Sequence, residues 1–267
     1  QLLHEQQKTA ADVVFFQESG YLGLLAQAGM LAPIDSRITA PIPAHFKDPN
    51  HYWVGASARM RVLVYNPEKV TADQLPISLE QLTDPKWRGR LGWAPTNASF
   101  QAHISALRHL WGEEKTQQWL RDIIANQPVN YPRNSQIVQA VGQGEVDLGW
   151  SNHYYMHQLK KQNPNLPVMN YHFPEEGNAG NLLIVSGVGI LAHSDKQALA
   201  EQWVAFLLSE YAQTYFAQSA SEYPTHPDIT PATALTPVAD IKHLEIDSSN
   251  LVDLSPTVAL LQTLGIL

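Results

Sequence analysis

Cysteine is absent from this chain of 267 residues. Disulfides, thiolate nucleophiles and cysteine-ligated metal sites are excluded with it. A basic surplus is also missing: 17 Lys and Arg stand against 25 Asp and Glu, a formal charge of −8. Nucleic-acid binders ordinarily present a basic face, so this balance argues against one. No apolar run approaches the roughly 18–20 residues of a membrane span. The glycine-rich nucleotide loops do not occur, and neither does His-Glu-x-x-His. The Gly-x-Ser-x-Gly turn of the hydrolases is absent as well. The chain does not begin with Met, so Gln1 reads as an internal start, of a processed product or of a fragment.

What is present is an ordinary globular composition, 44% hydrophobic and 16% charged. It can bury one sizeable core or two smaller ones. Gln1–Lys8 reads as helix. Val13–Phe16 is a short apolar run that reads as a buried parallel strand, and a helix follows from Ser19 or Gly20 to Gln27. Residues 32–52 read as loop, 54–65 as a long strand. Strands are expected at 91–94, 129–131, 146–150 and 168–173, and 182–191 is a further strand-like run. Helices are expected at 100–110, 113–126, 136–143, from 153, at 196–209 and 210–220, and at 256–264. The alternation of strand and helix predicts an α/β protein with parallel or mixed sheets, helices on both faces and two lobes. A cleft between lobes is the default ligand site.

Polar residues gather at three strand-to-helix junctions: Pro95-Thr96-Asn97-Ala98-Ser99, Arg133-Asn134-Ser135 and Ser151-Asn152-His153-Tyr154-Tyr155. Asn and Ser are common helix caps there. A helix start also offers free N–H groups and partial positive charge, which suit an anion. The adjacent Tyr154 and Tyr155 invite two readings. One ring packs and the other lies on the surface, or two phenolates bind a hard cation such as Fe(III). Arg59 and Arg61 alternate with period 2 and share one strand face. Such residues are usually solvated, but an arginine can also hold carbonate or carboxylate bidentately. His153 and His157 stand at i,i+4, a weak metal-compatible spacing. Glu18 reads as a helix-start carboxylate. No nucleophile, base and orienting group assemble, so enzymatic catalysis is not supported.

Together these stretches resemble the periplasmic ferric-ion-binding proteins of bacterial iron ABC transporters, the transferrin-like solute-binding proteins. The matching stretches are Ala11–Phe16, Gln27–Asp35, Arg59–Asn66, Pro85–Arg90, Pro95–Gln101, Asn134-Ser135, Val141–Gly149 leading into Asn152–Tyr155, and Glu222-Tyr223-Pro224. The resemblance spans essentially the whole chain and implies the type II periplasmic binding protein fold, two α/β lobes joined by a hinge. One lobe would take residues 1–60 and about 185–235, the other about 61–184 and 236–267. The family's first α/β unit, with its usual His ligand, would lie before Gln1; His4 is not its counterpart. Carried over, Tyr154 and Tyr155 match the paired ferric ligands. Asn134 and Asn152 match residues around the synergistic anion, which is carbonate, phosphate or citrate. Thr96, Asn97 and Ser99 lie in the anion loop, and Arg59 matches an arginine that holds carbonate in some members. Gln17 stands where some members place a Glu ligand, and the Pro95 loop lacks the third Tyr of others. The implied function is binding of Fe(III) in the interlobe cleft and delivery to an inner-membrane ABC permease, by a periplasmic monomer that is not an enzyme. The alternative is the same fold binding a polyamine, a thiamine-like molecule or a phosphonate.

Overall fold

The computed structural model describes residues 9–175, 177–232, 235–244, 246 and 254–267; the helix expected at 1–8, and His4 within it, lie outside them. In chain order the elements are β1 Val13–Phe16, α1 Gly20–Gln27, β2 Leu31–Ala32, α2 Ser36–Thr39, β3 Trp53–Tyr65, β4 Leu91–Trp93, α3 Ala98–Trp111, α4 Glu113–Ala125 and β5 Val129–Asn130. There follow α5 Asn134–Gln143, β6 Leu148–Asn152, α6 His153–Gln162, β7 Met169–Tyr171, β8 Leu183–Leu191, α7 Gln197–Leu207, α8 Glu210–Tyr215, β9 Tyr223–Pro224 and α9 Ser255–Thr263. The chain forms two compact units that divide within β3, after Arg59.

The first unit includes the described residues up to Arg59 together with Ile184–Leu235. Its sheet centres on β8, which pairs antiparallel with β1 (Val14 opposite Gly189) and with β2 (Leu31 opposite Leu191). The opening half of β3 pairs antiparallel with β9, Ala58 opposite Tyr223. β1 is therefore not the buried parallel strand its apolar run suggests: Phe15 is 46% exposed. Val14, Leu22, Leu25, Leu31, Trp53 and Leu191 form a core cluster. Gly29, at φ 66°, lets the chain turn from α1 into β2 where a side chain would be strained.

The second unit includes Met60–Leu183. Here the closing half of β3 pairs antiparallel with β6 and β7, while β4 runs parallel to both β5 and β6. The sheet is mixed, and its parallel strands each feed a helix through a short turn. The core holds Trp87, Phe100, Leu107, Trp119, Ile123 and Trp150. Ile137, Val138 and Val141 of α5 share one helical side and are fully buried, Ile137 and Val141 beside Gly149 and Val64 of the sheet. β3 is buried over twelve of its thirteen residues, so its apolar run carries Arg59 and Arg61 inside with it. The expectation that these arginines are solvated fails for that reason.

Candidate functional site

β4, β5 and β6 end at the same side of the second unit's sheet because β4 is parallel to both neighbours. The starts of α3, α5 and α6 follow directly, so three helix N-termini converge where α/β sheets commonly bind ligands. Asn97 caps α3: its Oδ1 accepts from the Ser99 backbone N–H at 3.0 Å and from Ser99 Oγ at 2.7 Å. Asn134 is the first residue of α5 rather than its cap, and Arg133 takes the capping position. The Asn134 side chain instead reaches across to α3, its Nδ2 donating to Ser99 Oγ at 3.1 Å. Its Oδ1 is buried and makes no hydrogen bond among the described residues.

Asn152 precedes α6 with extended backbone and makes no side-chain cap bond. The strand register places it opposite Arg61. Arg61 is fully buried. Its Nη1 donates to Asn152 Oδ1 at 2.9 Å and to Ser99 Oγ at 3.2 Å, and its Nη2 to the Trp150 carbonyl at 3.3 Å. Arg61, Ser99, Asn97, Asn134 and Asn152 thus form one hydrogen-bonded group. A cation and three helix starts give it positive potential, so it can hold an anion. Thr96 is exposed and makes no hydrogen bond to the others.

Tyr154 and Tyr155 occupy the first turn of α6, both half-buried, with ring centroids 4.3 Å apart and planes 37° from parallel. Asn152 Nδ2 lies 3.5 Å from the Tyr154 hydroxyl oxygen. His153 is buried, and its Nδ1 accepts the Met60 backbone N–H at 3.0 Å. That nitrogen is spent on tying α6 to β3. His157 Nε2 sits 3.4 Å from Asn170 Nδ2, and burial, with Lys160 and Lys161 nearby, pushes its pKa down to about 4. Among the described residues, no three His, Asp or Glu side chains converge as a metal site. His153 Nδ1 is committed to β3, and the phenol oxygens of Tyr154 and Tyr155 are hard donors in the same helix turn.

Arg59 makes its contacts in the first unit. Its Nη1 donates to Ser186 Oγ at 2.9 Å and its Nη2 to the Gln17 carbonyl, with Glu18 Oε1 3.9 Å away. Glu18 is buried just before α1, and this arginine is one of its partners. Of the two arginines on β3, the one that joins the asparagines is Arg61. The sequence signal for it is a charge inside a strand otherwise apolar, since a buried charge requires partners.

The family model described as bacterial extracellular solute-binding protein matches residues 8–240. The chain is 32% identical over 254 residues to the Fe(3+)-binding periplasmic protein of Serratia marcescens, covering 94% of this chain and 75% of that one. It is 29% identical over 276 residues to the major ferric iron-binding protein of Neisseria meningitidis serogroup A, covering 99% and 81%. Iron-bound HitA from Pseudomonas aeruginosa has the same fold with a TM-score of 0.91 at 34% identity, covering 99% of this chain and 86% of that structure. Apo FutA2 from Synechocystis PCC6803 gives 0.85 at 26% identity, covering 100% and 88%.

Proposed function

The chain belongs to the bacterial extracellular solute-binding proteins and has the two-lobed α/β fold of the periplasmic binding proteins; on that premise we propose that it binds ferric iron through Tyr154 and Tyr155. Its family is one of solute carriers, not of enzymes. The reading continues with a small anion, carbonate, phosphate or citrate, seated against Ser99, Asn134 and Asn152. Thr96 is exposed at the tip of the same turn and free to join it. Arg59 takes part only by giving up Ser186 and Gln17. The loaded protein, a periplasmic monomer, then hands its iron to an inner-membrane ABC permease.

One observation carries the reading: two phenols project from a single helix turn beside a buried arginine. Phenolates are hard anionic donors that suit Fe(III). A phenol has a reference pKa of about 10, so it is the metal's charge that holds it ionised at neutral pH. The helix N-terminus adds a smaller contribution of the same sign. The family relatives are named for ferric binding, which agrees with this donor set.

The test is a titration of the iron-free chain with ferric citrate, following the visible phenolate-to-iron charge-transfer band. Tyr154→Phe and Tyr155→Phe each keep a ring and remove an oxygen. Each is expected to lose more affinity than the about 10–100-fold typical of an outer-sphere partner. The double variant is expected to show no band. Wild-type ferric affinity in both single variants refutes the assignment.

A further inference from the structure

We infer that Arg61 is a positioning residue for the tyrosine pair: it fixes the direction of a hydrogen-bond relay that ends at the Tyr154 oxygen. The inference rests on the ferric reading above and adds to it a residue linked to Tyr154 through Asn152.

The argument is one of donors and acceptors. A guanidinium can only donate. The Asn152 atom that meets Arg61 Nη1 at 2.9 Å must therefore be Oδ1, which turns the amide NH₂ toward Tyr154. An NH₂ facing a phenol oxygen donates to it, so the phenol's own proton has to point elsewhere. The Tyr154 oxygen is thus an acceptor toward Asn152, the polarity that favours its phenolate form. The contact is long, 3.5 Å. It shortens as the oxygen gains negative charge, because hydrogen bonds to ionised acceptors are shorter and stronger.

The same cation also enters the other branch. Ser99 Oγ accepts from Arg61 Nη1 at 3.2 Å and from Asn134 Nδ2 at 3.1 Å, so its single proton goes to Asn97 Oδ1 at 2.7 Å. Asn97 is oriented by the Ser99 backbone N–H that its Oδ1 accepts, Asn134 by the Ser99 hydroxyl, and Asn152 by the arginine. The geometry is held by strand register, since Arg61 and Asn152 are cross-strand partners on β3 and β6. The guanidinium also stacks over the Trp150 ring, 5.5 Å from its centroid.

The experiment measures ferric affinity and the position of the charge-transfer band in Arg61→Leu, Arg61→Lys, Asn152→Leu and the Arg61→Leu/Asn152→Leu double variant, with circular dichroism confirming the fold. Arg61→Leu and Asn152→Leu are each expected to lose about 10–100-fold in affinity and to shift the band. Arg61→Lys, which still only donates, loses less than Arg61→Leu. The double variant loses no more than the worse single one, since both cut one relay. A purely structural arginine would lower the melting temperature and leave the band of the folded protein where it was; that result overturns the inference. Multiplying losses in the double variant overturn it too. If Arg61→Leu does not fold, wild-type affinity and band in Asn152→Leu do the same. A wild-type chain that takes up no ferric iron overturns the proposed function itself, and this inference with it.

Discussion

Arg59 and Glu18 are 4% and 8% exposed, and their charged atoms stand 3.9 Å apart. Removing one member of a buried pair strands the other charge away from water, at a cost of roughly 3–5 kcal/mol. Arg59→Met is therefore expected to lower the unfolding free energy by about that amount, and adding Glu18→Gln should recover part of it. Urea denaturation of the wild type, the single variant and the double variant measures both steps. A loss below about 1 kcal/mol in Arg59→Met would mean that the pair behaves as a solvated one. The two arginines of β3 also mark what a sequence leaves open at this scale. Period 2 tells that Arg59 and Arg61 share a face, but not which groups meet them there. Ser186 and Gln17 come to Arg59, and Asn152 and Ser99 to Arg61, from distant parts of the chain.

β6 and α5 pack closely enough to fix the strand that ends at Asn152. A methyl group on Gly149 would meet Ile137 Cγ2 at 2.3 Å, Val64 Cγ2 at 3.0 Å and Val141 Cγ2 at 3.1 Å. Gly149→Ala is accordingly expected to destabilise by about 1–3 kcal/mol, as overpacking does. Chemical denaturation reads the loss. Melting unchanged within about 0.5 kcal/mol would mean that α5 can move aside. At this scale much was legible. The apolar spacing of Ile137, Val138 and Val141 announces the buried face of α5, and Asn97 before Ser99 announces a real cap. Strand direction was not legible. An apolar run such as Val13–Phe16 looks the same parallel or antiparallel, because the partner strand is set by residues 187–190, far along the chain. The expected helix at 210–220 is α-helical only to Tyr215, and Phe216–Ala220 widen into a π turn. Periodicity over so few residues cannot separate the two. In the site itself, the residue types at the three junctions pointed to anion and phenolate chemistry. The role of Arg61 waited on knowing that residue 61 lies opposite residue 152.

Two properties belong to the whole molecule. The first is its response to acid. His103 is fully buried and donates its Nε2–H to the Ala179 carbonyl. Burial, with the Arg61 cation nearby, pushes its pKa from 6.5 down to about 3. The unfolded chain thus binds the proton more readily than the folded one. The stability that neutral His103 contributes is complete above pH 6.5 and is lost as pH falls toward about 3. Melting temperatures of the iron-free chain between pH 7 and pH 4 should fall in that direction, and His103→Gln should flatten the slope. Equal slopes would remove His103 from the account. The second property is the placement of tryptophan. Residues 87, 93, 111, 119 and 150 belong to the second unit, and Trp87, Trp93, Trp119 and Trp150 are buried there. Trp203 of α7, in the first unit, is 49% exposed and stacks on Phe206 with centroids 5.5 Å apart. Emission from the buried indoles lies toward the blue and that of Trp203 toward the red, where a dissolved quencher can reach it. Trp150 is two residues from Asn152 on β6, so a chromophore at the tyrosines would drain the blue light by energy transfer and leave the red light to the quencher. The blue band therefore reports the buried indoles of both units, Trp53 included, and the red band reports Trp203, so one cuvette can follow cargo at the tyrosines and solvent access at α7 without any label.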